Sequence, residues 1–228
     1  MRIERVRAKS EATGTKILEA ALELFRKEGF DNATMRDIAE SAGVATGAAY
    51  YYYASKDAIV MDFYQRSCDE MQPKIQEALK SAEGIEAGLR ELIGVKLSHF
   101  APNRDVLRAL LRKGADPKYP LSPFSAETKP IRDIDIAWFQ RIVTDSGVRI
   151  PQDLAARLPG VLWFFQMGVI FFWLTDDSAD QARTAKLLPL ACRTVATLIR
   201  LSSLPFMKPL RRPVLELIEI AAGGGLPS

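Results

Sequence analysis

The stretch "TMRDIAESAGVATGAAYYYY", residues 34–53, decides the fold. It opens on Thr34 with Asp37 three residues on, the pattern of a capping box at a helix N-terminus. Met35, Ile38, Ala39 and Ala42 recur at helical spacing and make one apolar face. Gly43 suits the positive φ of a tight turn, and a second short helix is expected from about Thr46 to Tyr53. Ala39 is small where the two helices cross, and Ile38, Ala42, Val44 and Ala49 fill the inward positions. Small side chains let two axes approach closely at a steep angle, so the pattern reads as a helix-turn-helix.

Four consecutive tyrosines cannot share one environment on a helix, where each residue turns about 100° from the last. Tyr53 follows Ala49 by four residues and shares its inward face, so it is expected in the core. Tyr50 follows Thr46 by four and Gly47 by three, and faces outward with them. Tyr51 and Tyr52 sit over Gly47 and Ala48 along the flanks. A phenol's reach and terminal hydroxyl suit phosphate oxygens at the rim of a DNA groove.

The pattern extends in both directions. Upstream, Ile17, Ala21, Leu24 and Phe25 mark a helix that Gly29 stops, with Phe30 placed for a C-cap contact. Downstream, Ser55 caps a longer helix carrying Ile59, Phe63 and Cys68 toward Leu79. Further helices are expected near 85–99, 104–114, 127–145, 152–175, 179–202 and 210–222, with Pro189 kinking or offsetting the fifth of these. "PKYPLSPFSAETKP", from residue 117, has prolines that no regular element tolerates, and a loop of that length often forms a lid or an entrance. No alternating strand pattern persists. The fold expected is all-α, with an N-terminal three-helix helix-turn-helix domain over residues 1–56 and a larger helical domain over 57–228.

Composition narrows the function classes. The chain has 228 residues, 48% hydrophobic and 26% charged, which is ordinary for a soluble globular protein. A formal net charge of +3 is too small to prove a nucleic-acid partner. Arg2, Arg5, Arg7, Lys9 and Lys16 outweigh Glu4 and Glu11 near the N-terminus, making a basic arm that is either a solvated tail or a follower of phosphates. The same segment lacks the apolar core of a secretory signal. The most apolar run, Val161 to Leu174, is 14 residues, too short to span a bilayer, so a buried helix and no membrane association are expected. Cys68 and Cys192 lie far apart with no histidine near either, which fits a reducing cytoplasm and no zinc or disulfide framework. The one histidine, His99, excludes a multi-histidine metal site. With no nucleophile–base pair, phosphate loop or metal cluster, neither an enzyme nor a cofactor is expected.

Residues 15–59 resemble the DNA-binding domain of the tetracycline-repressor (TetR) family. That family's pattern is a helix ending F-x-x-x-G-[YF], a T-x-x-x-I-A-x-x-A-G-V turn and a G-x-L-Y-x-x-F-x-[ST]-K run. Phe25, Gly29, Phe30, Thr34, Ile38, Ala39, Ala42, Gly43, Val44, Gly47, Tyr50, Ser55 and Lys56 match it. Ala49 stands where the family has leucine and Tyr53 where it has phenylalanine. The first departure leaves room that neighbours must fill, and the second adds a hydroxyl that needs a partner.

The resemblance implies DNA contacts from the start of the third helix, Ala45, Thr46, Gly47 and Ala48, and phosphate contacts by Tyr50, Tyr51, Tyr52 and Lys56. Thr34 and Arg36, at the start of the second helix, are further candidates, although Arg36 reads equally well as a solvated charge beside Asp37. Ala45, Gly47 and Ala48 have no side-chain donors, so Thr46 and the main chain must do most of the base reading, with Thr46 and Ala48 able to meet thymine methyls.

The remaining helices are implied to bind a small-molecule effector and to dimerise. Phe63, His99, Phe100, Leu107, Trp138 and Phe164 are candidate pocket residues. The helices near 152–175 and 179–202 are the candidate homodimer interface. The function expected is a regulator, most often a repressor, on a palindromic double-stranded DNA operator. Activation, and an architectural role without effector, are the alternatives.

Overall fold

The computed structural model describes residues 2–114 and 116–207 together with 209, 212, 213 and 216, and side chains from residue 10 onward except those of 112 and 113. Among these residues every regular element is helical: α1 (Arg2–Glu28), α2 (Met35–Ser41), α3 (Thr46–Tyr52), α4 (Lys56–Lys80), α5 (Gly84–Phe100), α6 (Arg104–Gly114), α7 (Lys129–Asp145), α8 (Gln152–Ala155), α9 (Leu158–Thr175) and α10 (Ala182–Ser202). Short 3-10 turns lie at Ala101–Asn103, Ala179–Gln181 and Pro205–Met207. The helix expected over 210–222 falls mostly outside the described residues. The chain divides into two compact units, Met1–Glu70 with Phe100–Ile131, and Met71–His99 with Arg132–Ser228. Residues 57–70 and 100–131 thus group with the head expected over 1–56.

The first unit is built around one apolar cluster. Ile17, Ala21 and Phe25 of α1, Ile38 and Ala39 of α2, Ala49 of α3, Ile59, Val60 and Phe63 of α4, and Val106 and Leu110 of α6 are all buried in it. Each large aliphatic or aromatic side chain so buried contributes roughly 1.5–3 kcal/mol. α1 ends where expected, with the Phe30 ring edge-on to Phe25 at 5.0 Å between centroids. It begins earlier than the basic arm suggested. The run from Arg2 to Thr13 holds no glycine or proline and is rich in arginine, glutamate, lysine and alanine, all good helix formers, so the arm is continuous with α1.

The proline-rich segment after α6 is a docked loop of this first unit. Leu121 is 2% exposed and belongs to the same core. The hydroxyls of Ser122, Ser125 and Thr128 donate to the carbonyls of Gly114, Pro120 and Ser122 at 2.6, 2.8 and 2.6 Å, which satisfies backbone that the prolines cannot pair. Tyr119 donates from its hydroxyl to Asp57 Oδ1 at 3.1 Å, on the first turn of α4.

In the second unit α5, α7, α9 and α10 supply the core, through Leu89, Leu92 and Ile93, Phe139 and Ile142, Leu162, Trp163, Val169 and Trp173, and Cys192, Ala196 and Ile199. A Cβ on Gly88 would stand 2.8 Å from Ile142 Cγ2, so glycine is what lets α5 and α7 approach this closely. Burial pushes the Cys192 thiol up to about 12, so it stays protonated and unreactive at neutral pH.

Two helices expected to be continuous are broken. The segment 152–175 divides at Ala156–Arg157 into α8 and α9. Pro159 has no N–H to bond back and its ring crowds the Ala155 carbonyl, which favours a new helix start there, with the proline in the first turn of α9. α10 starts at Ala182 because Asp180 and Gln181 each have φ of 52°. Asp176 closes that corner, accepting from the amide and hydroxyl of Thr184 at 2.8 and 2.7 Å and from those of Ser178 at 3.1 and 2.7 Å. Burial alone would raise its pKa, but these four bonds together hold the carboxyl well below the usual range. α10 runs on through Pro189, and α4 through Pro73.

The 14-residue estimate for the apolar run is corrected by α9, which has 18 residues because Leu158–Gly160 and Thr175 extend it. By length and composition alone that is enough to cross a membrane. Half of it is buried in the protein, the behaviour of a core helix.

Candidate nucleic-acid interface

The helix-turn-helix is held by local bonds. The Asp37 amide donates to Thr34 Oγ1 at 3.2 Å and the Thr34 amide to Asp37 Oδ2 at 3.0 Å, completing the capping box. The Thr34 hydroxyl also donates to Asp37, and with the amide bond it holds that carboxyl below its ordinary pKa. Gly43, at φ 65°, turns the chain while its amide donates to the Glu40 carbonyl and that of Val44 to the Ala39 carbonyl. α3 then packs on α2 through Ala49, which is wholly buried, as are Ile38 and, to 1%, Ala39. Ala49, standing where the family has leucine, is sealed from solvent.

The tyrosines separate into inner and outer pairs. Tyr53 is 8% exposed and lies just past α3, where its extended backbone (φ −137°, ψ 116°) turns the ring inward. Its hydroxyl donates toward Asp62 Oδ2 at 2.6 Å and lies 3.2 Å from the Gly14 carbonyl. Arg66 completes the group, bonding Asp62 at 2.9 Å and Thr15 Oγ1 at 2.8 Å. Burial first, then Asp62, pushes the Tyr53 phenol above its ordinary pKa. Tyr52 is half-buried and packs against the core, its ring beside Gly14 of α1. Tyr50 and Tyr51 are 53% and 82% exposed.

The outward face therefore gathers Ala45, Thr46, Gly47, Tyr50 and Tyr51, all exposed, with Ala48 half-buried at its edge; Thr34 and Arg36 are exposed at the start of α2. A Cβ added to Gly47 would meet nothing within 4 Å, so no contact inside the protein requires glycine there. A glycine within a helix costs about 1 kcal/mol relative to alanine. Lys56 is half-buried and turned inward. Its ammonium donates to the Phe30 and Asp31 carbonyls and lies 4.7 Å over the Phe30 ring, tying the end of α1 to the start of α4.

The six candidate effector residues fall in both units. In the first, Phe63 and Phe100 meet edge to face at 6.0 Å, and Leu107 packs against the same core. In the second, Trp138 is half-buried beneath the Arg141 guanidinium, Phe164 lies edge-on to Trp163 at 5.1 Å, and His99 is half-buried near the end of α5. Sequence reading passed over two buried polar residues of this unit, Lys96 and Gln166, and the half-buried Asp135 between them. Lys96 on α5 sits 2.6 Å from Asp135 Oδ1 on α7, and Gln166 Nε2 on α9 donates to Asp135 Oδ2 at 3.1 Å. The signal was present: Lys96 continues the Leu89–Leu92–Ile93 face, and Gln166 interrupts an apolar run.

Comparison with known proteins agrees with this geometry. The family profile described as "Bacterial regulatory proteins, tetR family" matches residues 17–62, and "Tetracyclin repressor-like, C-terminal domain" matches residues 89–216. The HTH-type transcriptional repressor KstR2 of Rhodococcus jostii (strain RHA1) is 32% identical over 79 residues, 35% of this chain and 39% of that protein, so the match spans well under half of the relative. Among solved structures, a TetR transcriptional regulator from Nitrosomonas europaea ATCC 19718 superposes with a TM-score of 0.61 at 18% identity, covering 81% of this chain and 98% of its own. Thermus thermophilus FadR, a TetR-family repressor in complex with lauroyl-CoA, gives 0.54 at 21% identity over 84% and 95%. At such identities the structural likeness speaks to the fold. With both family profiles matched, together over more than half of its length, the chain belongs to the TetR family of transcriptional regulators.

Proposed function

We propose that this regulator is a repressor that binds a palindromic DNA operator as a homodimer and is released by a small apolar or aromatic effector. The observation that carries the DNA reading is the outer face of α3. Two large aromatic side chains stand exposed beside a glycine that nothing inside the protein requires. Thr46 and the backbone at Gly47 would approach bases in the major groove, while Tyr50 and Tyr51 would hold phosphates on its rim.

Dimerisation is supported by apolar surface on α9 and α10. Leu190, Leu198 and Leu201 are 61%, 56% and 40% exposed and share one face of α10, and Phe164 of α9 is also exposed. Pairing of α9 and α10 with the same helices of a second copy would cover these side chains, and a two-fold dimer reads a two-fold site. In the second unit, His99 and Trp138 are the side chains we assign to the effector, while Phe164 of the expected pocket set lies on the exposed face of α9. The lauroyl-CoA complex of Thermus thermophilus FadR supports an effector with an apolar portion, since that protein of the same fold holds a ligand carrying a lauroyl chain. α4 runs unbroken from Lys56 through both units, so displacement of its far end would swing the reading head. A ligand preferring the displaced state by about 100-fold supplies about 2.7 kcal/mol of coupling.

Tyr50→Ala tests the DNA face. The side chain is 53% exposed, so its loss leaves the core intact. Affinity measured by fluorescence anisotropy should fall by about 5–30-fold, on the order of 1–2 kcal/mol, and by a similar factor on operator and unrelated duplexes. Sedimentation should show an unchanged oligomer. A variant that unfolds, or that binds DNA as well as the parent, contradicts the assignment.

A further inference from the structure

We propose that Gln166, held by Lys96 and Asp135, is the polar anchor of the effector site and selects a neutral aromatic or apolar molecule carrying a hydroxyl or N–H donor. The proposal rests on the effector-binding reading above. Three helices each place one polar side chain in the core of the second unit. Lys96 and Gln166 are 2% and 1% exposed as residues, and the Asp135 side chain is 15% exposed. Their helical neighbours Leu92, Ile93, Phe139, Leu162, Trp163 and Val169 are buried and apolar.

The orientation of the Gln166 amide follows from chemistry. Asp135, paired to the Lys96 ammonium at 2.6 Å, is an ionised carboxylate and can only accept. The amide nitrogen must therefore face it, as it does at 3.1 Å, and a flipped amide would set oxygen against carboxylate. That turns Oε1 away from the ion pair. Oε1 is buried and has no hydrogen-bond partner among the described residues.

A buried acceptor without a donor raises the energy of the folded state, and a buried ion pair is often no more stabilising than the apolar side chains that would replace it. Core stability therefore does not account for the cluster. Its geometry does one chemical thing: it holds a fixed, neutral acceptor without a donor in the buried core of the second unit. A ligand hydroxyl or N–H would satisfy Oε1 on binding. A carboxylate would meet the oxygen lone pairs, and an ether of the same shape would leave Oε1 orphaned.

The test uses the full chain and three probes of one ring system: 1-naphthol, 1-methoxynaphthalene and 1-naphthoate. Binding is followed by quenching of tryptophan fluorescence, with Trp163 one helical turn from Gln166. The parent should bind 1-naphthol about tenfold more tightly than the ether, and 1-naphthoate most weakly. In Gln166→Met, folded by circular dichroism, naphthol affinity should fall to the ether's level while ether affinity stays within about twofold. Equal naphthol and ether affinities in the parent overturn the anchor yet leave effector binding standing, and this comparison needs no variant. A naphthol preference that survives in Gln166→Met also overturns it. No probe binding by a protein that still binds DNA overturns the anchor and the effector reading together.

Discussion

Tyr53→Ala should destabilise the first unit by about 3–5 kcal/mol, seen as a lower midpoint in urea unfolding. The ring is 8% exposed, so truncation leaves a cavity between α1, α3 and α4. It also removes the hydroxyl that joins Gly14 of α1 to Asp62 of α4. Tyr53→Phe separates the two effects. It keeps the ring, leaves Asp62 paired with Arg66 at 2.9 Å, and should lose only about 1 kcal/mol. The phenol's raised pKa adds a pH dependence. A group whose folded pKa lies above its unfolded value contributes in full below the unfolded pKa, near 10 for tyrosine, and loses that contribution as pH rises past it. The parent should therefore lose stability above about pH 10 more steeply than Tyr53→Phe. An unchanged midpoint for Tyr53→Ala would return Tyr53 to the surface and undo the sorting of the four tyrosines.

Lys96→Met should be as damaging in the second unit, by about 3–5 kcal/mol, because it leaves the largely buried Asp135 carboxylate without its cation, bonded among the described residues to the Gln166 amide. The double variant Lys96→Met, Asp135→Leu removes both charges and should recover most of the loss. Recovery distinguishes an uncompensated charge from lost packing, since the double variant deletes more native atoms than the single one. If the double variant is the less stable of the two, the ion pair itself holds α5 to α7.

The head was legible in the sequence because its decisive contacts are local. The Thr34–Asp37 box and the Glu40–Gly43 turn each span four residues, and Ala49 and Tyr53 lie four positions apart, although Tyr53 reaches the core from extended backbone just past α3. Contacts between distant residues were not legible. Tyr53 meets Gly14 across 39 positions and Tyr119 meets Asp57 across 62, and no periodicity encodes either. The docking of the proline-rich loop and the inward turn of Tyr52 follow from such contacts. The break before α9 was legible in principle, since Pro159 suits the first turn of a new helix, but a run apolar on every side masked it. The Lys96–Asp135–Gln166 cluster shows the same limit. Each residue reads singly as an interruption of an apolar face, and only the packing of α5, α7 and α9 joins them.

The central claim is that two copies of this chain present two α3 helices to one two-fold DNA site. The most direct measurement selects a preferred duplex from a random pool, then footprints the bound protein and determines its stoichiometry. The account predicts two protected half-sites related by a two-fold axis, centred about 34–36 Å or a multiple of one helical turn apart, with chains bound in pairs. Uniform protection of any duplex, or a single unrepeated half-site bound by one chain, would contradict it.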